Sequence, residues 1–273
     1  MTEYSDALRE HLADYKTRRH PDLPDGIYRG NGRAYAHVLP EEKHRLNILP
    51  FFRDEFWSYF EANSRELALH TDFHHLNSSQ AFAFNLFFPW LREDRTRQQL
   101  LTELGVRTGP LARWHFEHIP DPAERTAFDV FAEYEGGARL LVEVKLTEGY
   151  FGIAQADESH LRKREEVYLP RLTGKVRPEF LEQAHFLLNY QLFRNISHLD
   201  VARGDQLVLL VPRSNTFTFS QAVGILETLL PEARAAVRVV PAETLIAGLS
   251  KTATEVGGPI AIHMADLSEK YAL

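Results

Sequence analysis

Cysteine is absent from the 273-residue chain, and methionine (two) and tryptophan (three) are scarce. Without cysteine the chain can form neither a disulfide scaffold nor a thiolate zinc site, and it suits a reducing compartment. No apolar run approaches the length of a membrane span, and the N-terminal residues MTEYSDALRE do not resemble a signal peptide. We therefore expect a cytoplasmic protein without a membrane partner.

An excess of positive charge is also lacking, because the formal net charge is −7 at pH 7. This balance argues against a non-specific coat for nucleic acid, although it leaves room for a local basic cleft. Hydrophobic residues make up 44% of the chain, which is enough for a packed core. The length fits one large domain or one domain with an added lobe.

Residues 126–152, TAFDVFAEYEGGARLLVEVKLTEGYFG, predict two strands joined by a tight turn at residues 135–137. Side chains two apart in a strand share a face, so Glu143 and Lys145 of the second strand point the same way. Asp129 lies in the first strand. The pattern is therefore Asp, followed by Glu-x-Lys on the neighbouring strand.

The register of this hairpin decides whether the two carboxylates meet, because a slip of one residue turns a strand over. A three-residue loop places Asp129 directly opposite Glu143, with Cβ atoms about 5 Å apart. A two-residue Gly-Gly loop places Asp129 opposite Val144, so that the carboxylates lie on opposite faces. A shared carboxylate site therefore requires an odd loop or a bulge.

Two adjacent carboxylates repel each other unless a cation lies between them, and Mg²⁺ prefers hard oxygen ligands of this kind. A neighbouring lysine can orient or deprotonate an attacking water, or offset charge on a phosphate. Glu117 and Glu124 are optional further carboxylates. The alternative is a solvated hairpin face with a cross-strand Glu–Lys pair, which is common at this spacing.

Apolar spacing predicts helices over residues 1–20 and 50–69, and a charged helix over 92–105. The histidines between them, His70, His74 and His75, could bind zinc, or they could be ordinary loop and core residues.

Residues 78–87, SSQAFAFNLF, predict a helix that is apolar nearly all round and therefore buried, with Pro89 as its end. Gln80 and Asn85 would then be buried amides that need hydrogen-bond partners. They are either satisfied core groups or members of an active cleft, together with Ser79.

A basic segment follows the hairpin, and its residues Arg162, Lys163 and Arg164 are interleaved with aromatics, a pattern that suits contact with phosphates and bases. The same segment also contains four acidic residues, Asp157, Glu158, Glu165 and Glu166, so a solvated flap is the alternative. Further on, residues 178–197 predict one strong helix, 205–213 predict a buried strand, and helices and strands alternate to residue 250.

Three of these segments together resemble the PD-(D/E)XK nuclease superfamily: SSQAFAFNLF at 78–87, the FDVF…LLVEVKLTEGYFG hairpin, and NYQLFRN at 189–195. More narrowly they resemble a bacterial restriction-endonuclease-like family, the PGN_0703 type. The resemblance covers roughly residues 70–215. It implies an α/β fold with a restriction-endonuclease-like core, in which helices flank a central mixed β-sheet and additional N-terminal helices precede it.

The resemblance also implies roles for individual residues. Asp129, Glu143 and the Val144 carbonyl would bind Mg²⁺ (or Mn²⁺), and Lys145 and Gln191 would complete the catalytic set. Residues expected to contact DNA are Ser79, Gln80, Arg162, Lys163, Arg164 and Arg194. The glutamate frequent in the first core helix of the superfamily is not evident, and Gln80 stands near that place.

We therefore expect a nuclease-like domain over residues 70–273 with a helical extension over 1–69 packed on it. The expected function is metal-dependent hydrolysis of DNA, in a monomer or a homodimer. Two alternatives remain open, namely a nucleic-acid-binding or interaction module in a defence or repair assembly, and a nuclease directed at RNA.

Overall fold

The structure, a computed structural model, describes residues 3–273 and divides into two units. The first unit consists of the described residues up to Gly109 together with Ala242–Leu273, and the second is Pro110–Pro241. The first unit is therefore discontinuous in sequence. The predicted boundary after residue 69 falls inside it and stays a prediction, and the first two residues of the predicted extension lie outside the described residues.

Six α-helices, a 3₁₀ helix (Glu41–Asn47) and a two-stranded hairpin form the regular structure described in the first unit. They are α1 (Glu3–Arg19), β1 (Gly26–Tyr28), β2 (Arg33–Tyr35), α2 (Arg53–Ala62), α3 (Ser79–Leu91), α4 (Asp94–Glu103), and α11 (Ala242–Val256) and α12 (Gly258–Tyr271) after the second unit. The predicted helices at 1–20, 50–69 and 92–105 correspond to α1, α2 and α4.

The second unit contains a five-stranded sheet and shorter helices. Its strands are β3 (Leu111–His118), β4 (Phe128–Tyr134), β5 (Arg139–Val144), β6 (Gln206–Val211) and β7 (Val237–Pro241). Its helices are α5 (Glu158–Lys163), α6 (Leu169–Leu172), α7 (Gln183–Leu188), α8 (Tyr190–Ser197), α9 (Thr216–Leu226) and α10 (Pro231–Ala236).

The sheet has the strand order β3-β4-β5-β6-β7. The first three strands are antiparallel, whereas β6 pairs parallel to both β5 and β7. The strand β6 is apolar and buried because it is central, as its continuous run of Leu and Val predicts. The molecule is thus α/β with a mixed central sheet flanked by helices, as expected for a restriction-endonuclease-like core.

The buried helix of the first unit is α3, and aromatic side chains of α2 and α12 pack on it. Ser78 caps it by accepting a hydrogen bond from Ala81 N. Phe84 packs on Phe56 of α2 with ring centroids 4.9 Å apart, and Phe82 packs on Tyr271 of α12 at 4.8 Å.

The prediction that Pro89 ends this helix is wrong, because α3 continues through Pro89 to Leu91. Proline removes the hydrogen bond that the carbonyl of Asn85 would accept within the helix. His263 of α12 replaces it, with Nε2 2.7 Å from that carbonyl oxygen. Burial lowers the pKa of His263 to about 4, so the ring donates as a neutral imidazole.

The prediction of a single helix over residues 178–197 is also wrong. The segment divides into a 3₁₀ turn (Pro178–Leu181), α7 and α8, with Asn189 at φ −116° and ψ 28° between the two helices. The Gln191 N–H bonds the Gly152 carbonyl at 3.1 Å instead of a carbonyl of the preceding turn. A tertiary hydrogen bond therefore replaces helical continuity.

The segment after the hairpin is not a solvated flap. Its α5, π-helical (Arg164–Tyr168) and α6 turns place Tyr168 and Leu172 in the buried core of the second unit. Among the helices of residues 3–273, none is long and apolar enough to cross a membrane.

Candidate functional site

Asp129 and Glu143 lie opposite each other on β4 and β5. Val130 pairs with Val142 and Ala132 with Leu140, and continuing this register places Asp129 across from Glu143. The loop has three residues, because Tyr134 N bonds Ala138 O at 2.8 Å. Gly137 takes the left-handed conformation, at φ 81°, that closes such a loop. The odd loop that a shared carboxylate site requires is confirmed.

Glu143 is buried and receives three hydrogen bonds from side chains. Its Oε1 accepts from Lys145 Nζ at 2.8 Å and from Gln191 Nε2 at 2.7 Å, and its Oε2 accepts from Asn195 Nδ2 at 3.1 Å. A carboxylate offers about four lone-pair directions, so three donors leave about one of them for another ligand.

Asn195 is not among the predicted site residues, yet its amide bonds Glu143. The signal in the sequence is its spacing of four from Gln191, because residues four apart share a helix face. The two amides of α8 therefore grip the carboxylate together with Lys145 of β5.

Asp129 is partly buried, and its Oδ2 accepts a hydrogen bond from Val144 N at 2.6 Å. Burial raises the pKa of Asp129 well above its usual range, and the nearby carboxylates of Glu143 and Glu117 raise it further. The positive charge of Lys145 and the hydrogen bond from Val144 N lower this pKa only in part. The N–H and C=O of one residue in a strand point to the same side, so the Val144 carbonyl faces the side on which Asp129 lies.

Glu117 lies level with Asp129 on β3, as the pairs Phe116–Val130 and His118–Phe128 show. Its φ of 51° is unusual for a residue other than glycine. Nevertheless, residues 3–273 contain no group of three His, Asp or Glu side chains arranged to hold a metal ion. This also applies to His70, His74 and His75, so the structure provides no zinc cluster there.

Lys145 carries a positive charge in this surrounding. Burial alone would lower its pKa, but the carboxylates of Glu143, Glu148 and Asp129 raise the pKa of Lys145 above its usual value. The ammonium group also lies 5.5 Å from the centroid of the Phe151 ring. The side chain is thus a fixed cation beside two acids.

Gln191 joins this cluster to the loop after β5. While its Nε2 bonds Glu143, its Oε1 accepts from Gly152 N at 3.0 Å, and its own N–H bonds Gly152 O. A β-carbon at Gly152 would lie 3.5 Å from Gln191 Cβ, which is ordinary contact, so this glycine serves mainly as a close backbone partner.

Glu124 belongs to a different buried network of the second unit. Its carboxylate accepts hydrogen bonds from Thr126, from Tyr168 and from His198, whose Nε2 lies 2.9 Å away. Burial would raise the pKa of Glu124, but these hydrogen bonds lower it below its usual range. The group is satisfied by the protein itself.

The residues expected to contact DNA are placed in both units. Gln80 belongs to the first unit, where its amide bonds His70 N at 2.8 Å and Ala68 O at 3.0 Å, and Asn85 is likewise satisfied. Ser79 lies in the first turn of α3. The two helix amides are therefore core groups that hold adjacent loops.

In the second unit, Arg162 is exposed and Lys163 is half-buried on α5. Arg164 is buried; it donates to Glu165 and to Leu181 O and lies 5.6 Å from the Phe186 ring. Arg194 is half-buried beside Tyr190, at 5.9 Å from its ring. Contact of these residues with DNA stays a prediction.

The five-stranded mixed sheet flanked by helices has the arrangement of a restriction-endonuclease-like core. The chain belongs to the family described as restriction endonuclease associating with ARP, whose model matches residues 9–272. No curated protein and no solved structure matches it.

Proposed function

We propose that this protein is a Mg²⁺-dependent nuclease that hydrolyses DNA phosphodiester bonds, with Asp129 and Glu143 as its metal-binding acids. The observation that carries the proposal is the register of β4 and β5, which sets the two carboxylates opposite each other beside Lys145. The family membership supports a nuclease-related function. Within this proposal the chain is a cytoplasmic member of the PD-(D/E)XK superfamily, and the narrower PGN_0703-type resemblance is part of it.

The donor set fits a hard divalent cation. Two carboxylates and a main-chain carbonyl are oxygen ligands of the kind that Mg²⁺ takes together with water. The raised pKa of Asp129 fits as well, because an acid between like charges gains most from a cation. Bound there, Mg²⁺ would supply a Lewis acid that polarises the phosphate, with Mn²⁺ as a substitute.

The chain's own residues then have separate roles. Lys145, held as a cation, offsets the charge that develops on the phosphate and helps to orient the attacking water. Gln191 and Asn195 are positioning residues, because their amides fix the rotamer of Glu143. They also leave about one acceptor direction of that carboxylate to face a ligand.

A second candidate is an interaction module that keeps the nuclease fold within a larger assembly. The observation that favours it is the description of the family, which names association with ARP. The three side-chain donors on Glu143 also allow the cluster to be a closed structural network. Metal dependence separates the candidates, since a binding module keeps its function when Asp129 is replaced.

The test combines calorimetric titration of Mg²⁺ and Mn²⁺ with cleavage of plasmid DNA, linear DNA and RNA. We expect the wild type to bind metal and to cut DNA only with metal, and Asp129→Ala to do neither. Glu133→Ala is the matched control, because Glu133 lies on the same strand face but pairs with Arg113. Metal binding and cleavage that survive in Asp129→Ala would exclude the proposal, and preferential cutting of RNA would redirect it. A sedimentation measurement on the same samples tests the homodimer.

A further inference from the structure

Four large apolar side chains are exposed on the segments that surround the acidic cluster. They are Tyr150 and Ile153 in the loop after β5, Leu188 at the end of α7, and Phe217 in the first turn of α9, with exposed fractions of 49%, 50%, 55% and 61%. We call this set the apolar rim.

Hydrogen bonds hold the three segments of the apolar rim together. Ala154 N bonds Leu187 O at 3.0 Å, which places Ile153 beside the end of α7. Thr218 Oγ1 bonds Glu148 O at 2.6 Å, which places Phe217 beside the start of the loop. Gln221 of α9 closes the arrangement, because its amide bonds Phe151 N at 2.8 Å and Leu188 O at 3.3 Å.

Hydrogen bonds connect the loop of the apolar rim to the carboxylate of Glu143. Gly152, between Tyr150 and Ile153, is bonded through both backbone groups to Gln191, and the same amide bonds Glu143. Phe151, the other intervening residue, carries the ring above which the Lys145 ammonium lies. The loop that carries Tyr150 and Ile153 is therefore held directly against the acidic cluster.

The loop after β5 and the start of α9 carry little charge with which to hold a duplex by its backbone. Residues 147–154 contain one acid, Glu148, and residues 213–221 contain one base, Arg213, so the two segments carry no net charge. Duplex binding depends on neutralising several phosphates. Aromatic and aliphatic side chains instead favour the faces of unstacked bases, which a base-paired helix does not expose.

We propose that the apolar rim binds the unstacked bases that flank the scissile phosphate, so that the substrate is unpaired DNA, either a single strand or the single-stranded part of a junction. The inference rests on the proposed function, because it assigns the substrate class to that same site. Tyr150 and Phe217 supply the stacking surfaces, and Ile153 and Leu188 supply apolar contact between them.

The test measures binding separately from cleavage. Fluorescent oligonucleotides of one sequence, as a single strand, a blunt duplex and a duplex with an overhang, are titrated in EDTA and followed by anisotropy. We expect the single strand and the overhang to bind about tenfold or more tightly than the blunt duplex. Tyr150→Ala and Phe217→Ala should each weaken binding to the single strand by about five- to hundredfold, the effect of losing one stacked base.

Tyr150→Phe and Phe217→Trp are the conservative variants, and both should retain tight binding because they keep an aromatic face. Ile262→Ala is the matched control, since Ile262 is exposed to a similar extent, at 53%, in the first unit. A 2-aminopurine base placed along the single strand should be quenched by wild-type protein and not by the alanine variants. Circular dichroism checks that every variant is folded.

The outcomes separate the two proposals. Equal affinity for duplex and single strand, or alanine variants that bind like wild type, would overturn the substrate assignment even when Mg²⁺-dependent cutting persists. If binding depends on the stacking residues but no DNA is cut in Mg²⁺, the base-binding role of the apolar rim is supported and the proposed nuclease activity is excluded. A shift from dimer to monomer in Phe217→Ala, with DNA binding unchanged, would show that a second copy covers this surface and would overturn the inference.

Discussion

Glu124 lies in the turn before β4 and Asp129 lies five residues later, within the strand, yet the surroundings of the two carboxylates are opposite in kind. Glu124 is surrounded by donors, namely Thr126, Tyr168 and His198, which lower its pKa. Asp129 accepts one hydrogen bond from a backbone N–H. Burial and two neighbouring acids raise its pKa.

The number of donors around each carboxylate distinguishes an acid that stabilises the fold from one that is available to a ligand. A carboxylate whose hydrogen bonds all come from within the protein stabilises the charged form and has little left for a ligand. A carboxylate whose ionised form is disfavoured by burial and by neighbouring acids lowers the stability of the fold. Groups with such strongly perturbed pKa values concentrate at functional sites. Glu124 is therefore a structural acid, whereas Asp129 fits the proposed metal site.

The largest effect is expected on the cleavage rate, when each of the two acids is replaced by its amide. Asp129→Asn should reduce Mg²⁺-dependent cutting by about 10³-fold or more, because the proposed metal loses a charged ligand. Glu124→Gln should retain the wild-type rate per folded molecule. Cleavage rates measured at equal folded concentration check this, and equal losses in both variants would erase the contrast between the acids.

Replacement of the cation at the site should have the next largest effect. Lys145→Gln should slow cleavage by about 10²-fold while Mg²⁺ binding persists, because the residue acts on charge in the transition state and not on the metal. Calorimetry and single-turnover rates on the same protein separate the two quantities. An unchanged rate would remove Lys145 from the catalytic set.

The same two variants should change the stability of the metal-free protein in opposite directions. Glu124→Gln should lower the free energy of unfolding by about 3 kcal/mol, because it removes a buried carboxylate that accepts hydrogen bonds from Thr126, Tyr168 and His198. Asp129→Asn should raise it by about 1 kcal/mol, because it removes an acid whose ionisation the fold disfavours. Urea unfolding at pH 7 in EDTA provides both values, and a severe loss in Asp129→Asn would instead mark a structural ion pair.

The pH dependence of the same variants should sharpen the contrast. The folded-state pKa of Glu124 is below its ordinary 4.5, so its stabilisation is present above pH 4.5 and is lost as the pH falls through the folded value. The folded-state pKa of Asp129 is above its ordinary 3.8, so its cost is present at high pH and disappears as the pH falls. The gain from Asp129→Asn should therefore vanish near pH 3.8, and a gain that persisted there would contradict this cause.

The smallest effect is expected on α5 and the turn after it. Arg162→Gln should weaken DNA binding and reduce the slope of log affinity against log salt by about 0.9 for duplex or 0.7 for a single strand. Arg164→Gln should chiefly lower stability, because this guanidinium is buried on Phe186. Anisotropy titrations at several salt concentrations, with a melting curve for each variant, distinguish an exposed cation from an engaged one.

Local pattern was sufficient for the two strands of the hairpin and for the turn between them. It left two registers open, because the glycines allow a loop of two or three residues, and the structure has the three-residue loop. It was also sufficient for the central strand β6. It failed where long-range hydrogen bonds override local preference. The break before Gln191 depends on Gly152, and the passage of α3 through Pro89 depends on His263.

The site shows the same limit. Glu143 and Lys145 follow from strand periodicity, but the grip of Asn195 on Glu143 depends on how α8 lies on the sheet. The burial of Arg164 likewise follows from the π-helical turn and not from composition. Charged groups of the site can therefore be identified from the sequence. Which of them are engaged within the protein, and which are accessible to a ligand, depends on the tertiary structure.

The discontinuity of the first unit has a consequence for synthesis on the ribosome. His263 and Tyr271 of α12 complete the hydrogen bonds of Asn85 on α3, yet the whole second unit is translated between them. At ordinary elongation rates this delay is on the order of 10 s. During that interval an apolar helix lacks its final partner, so we expect nascent chains stalled before α12 to bind chaperones, and ribosome profiling of chaperone-bound chains would detect this.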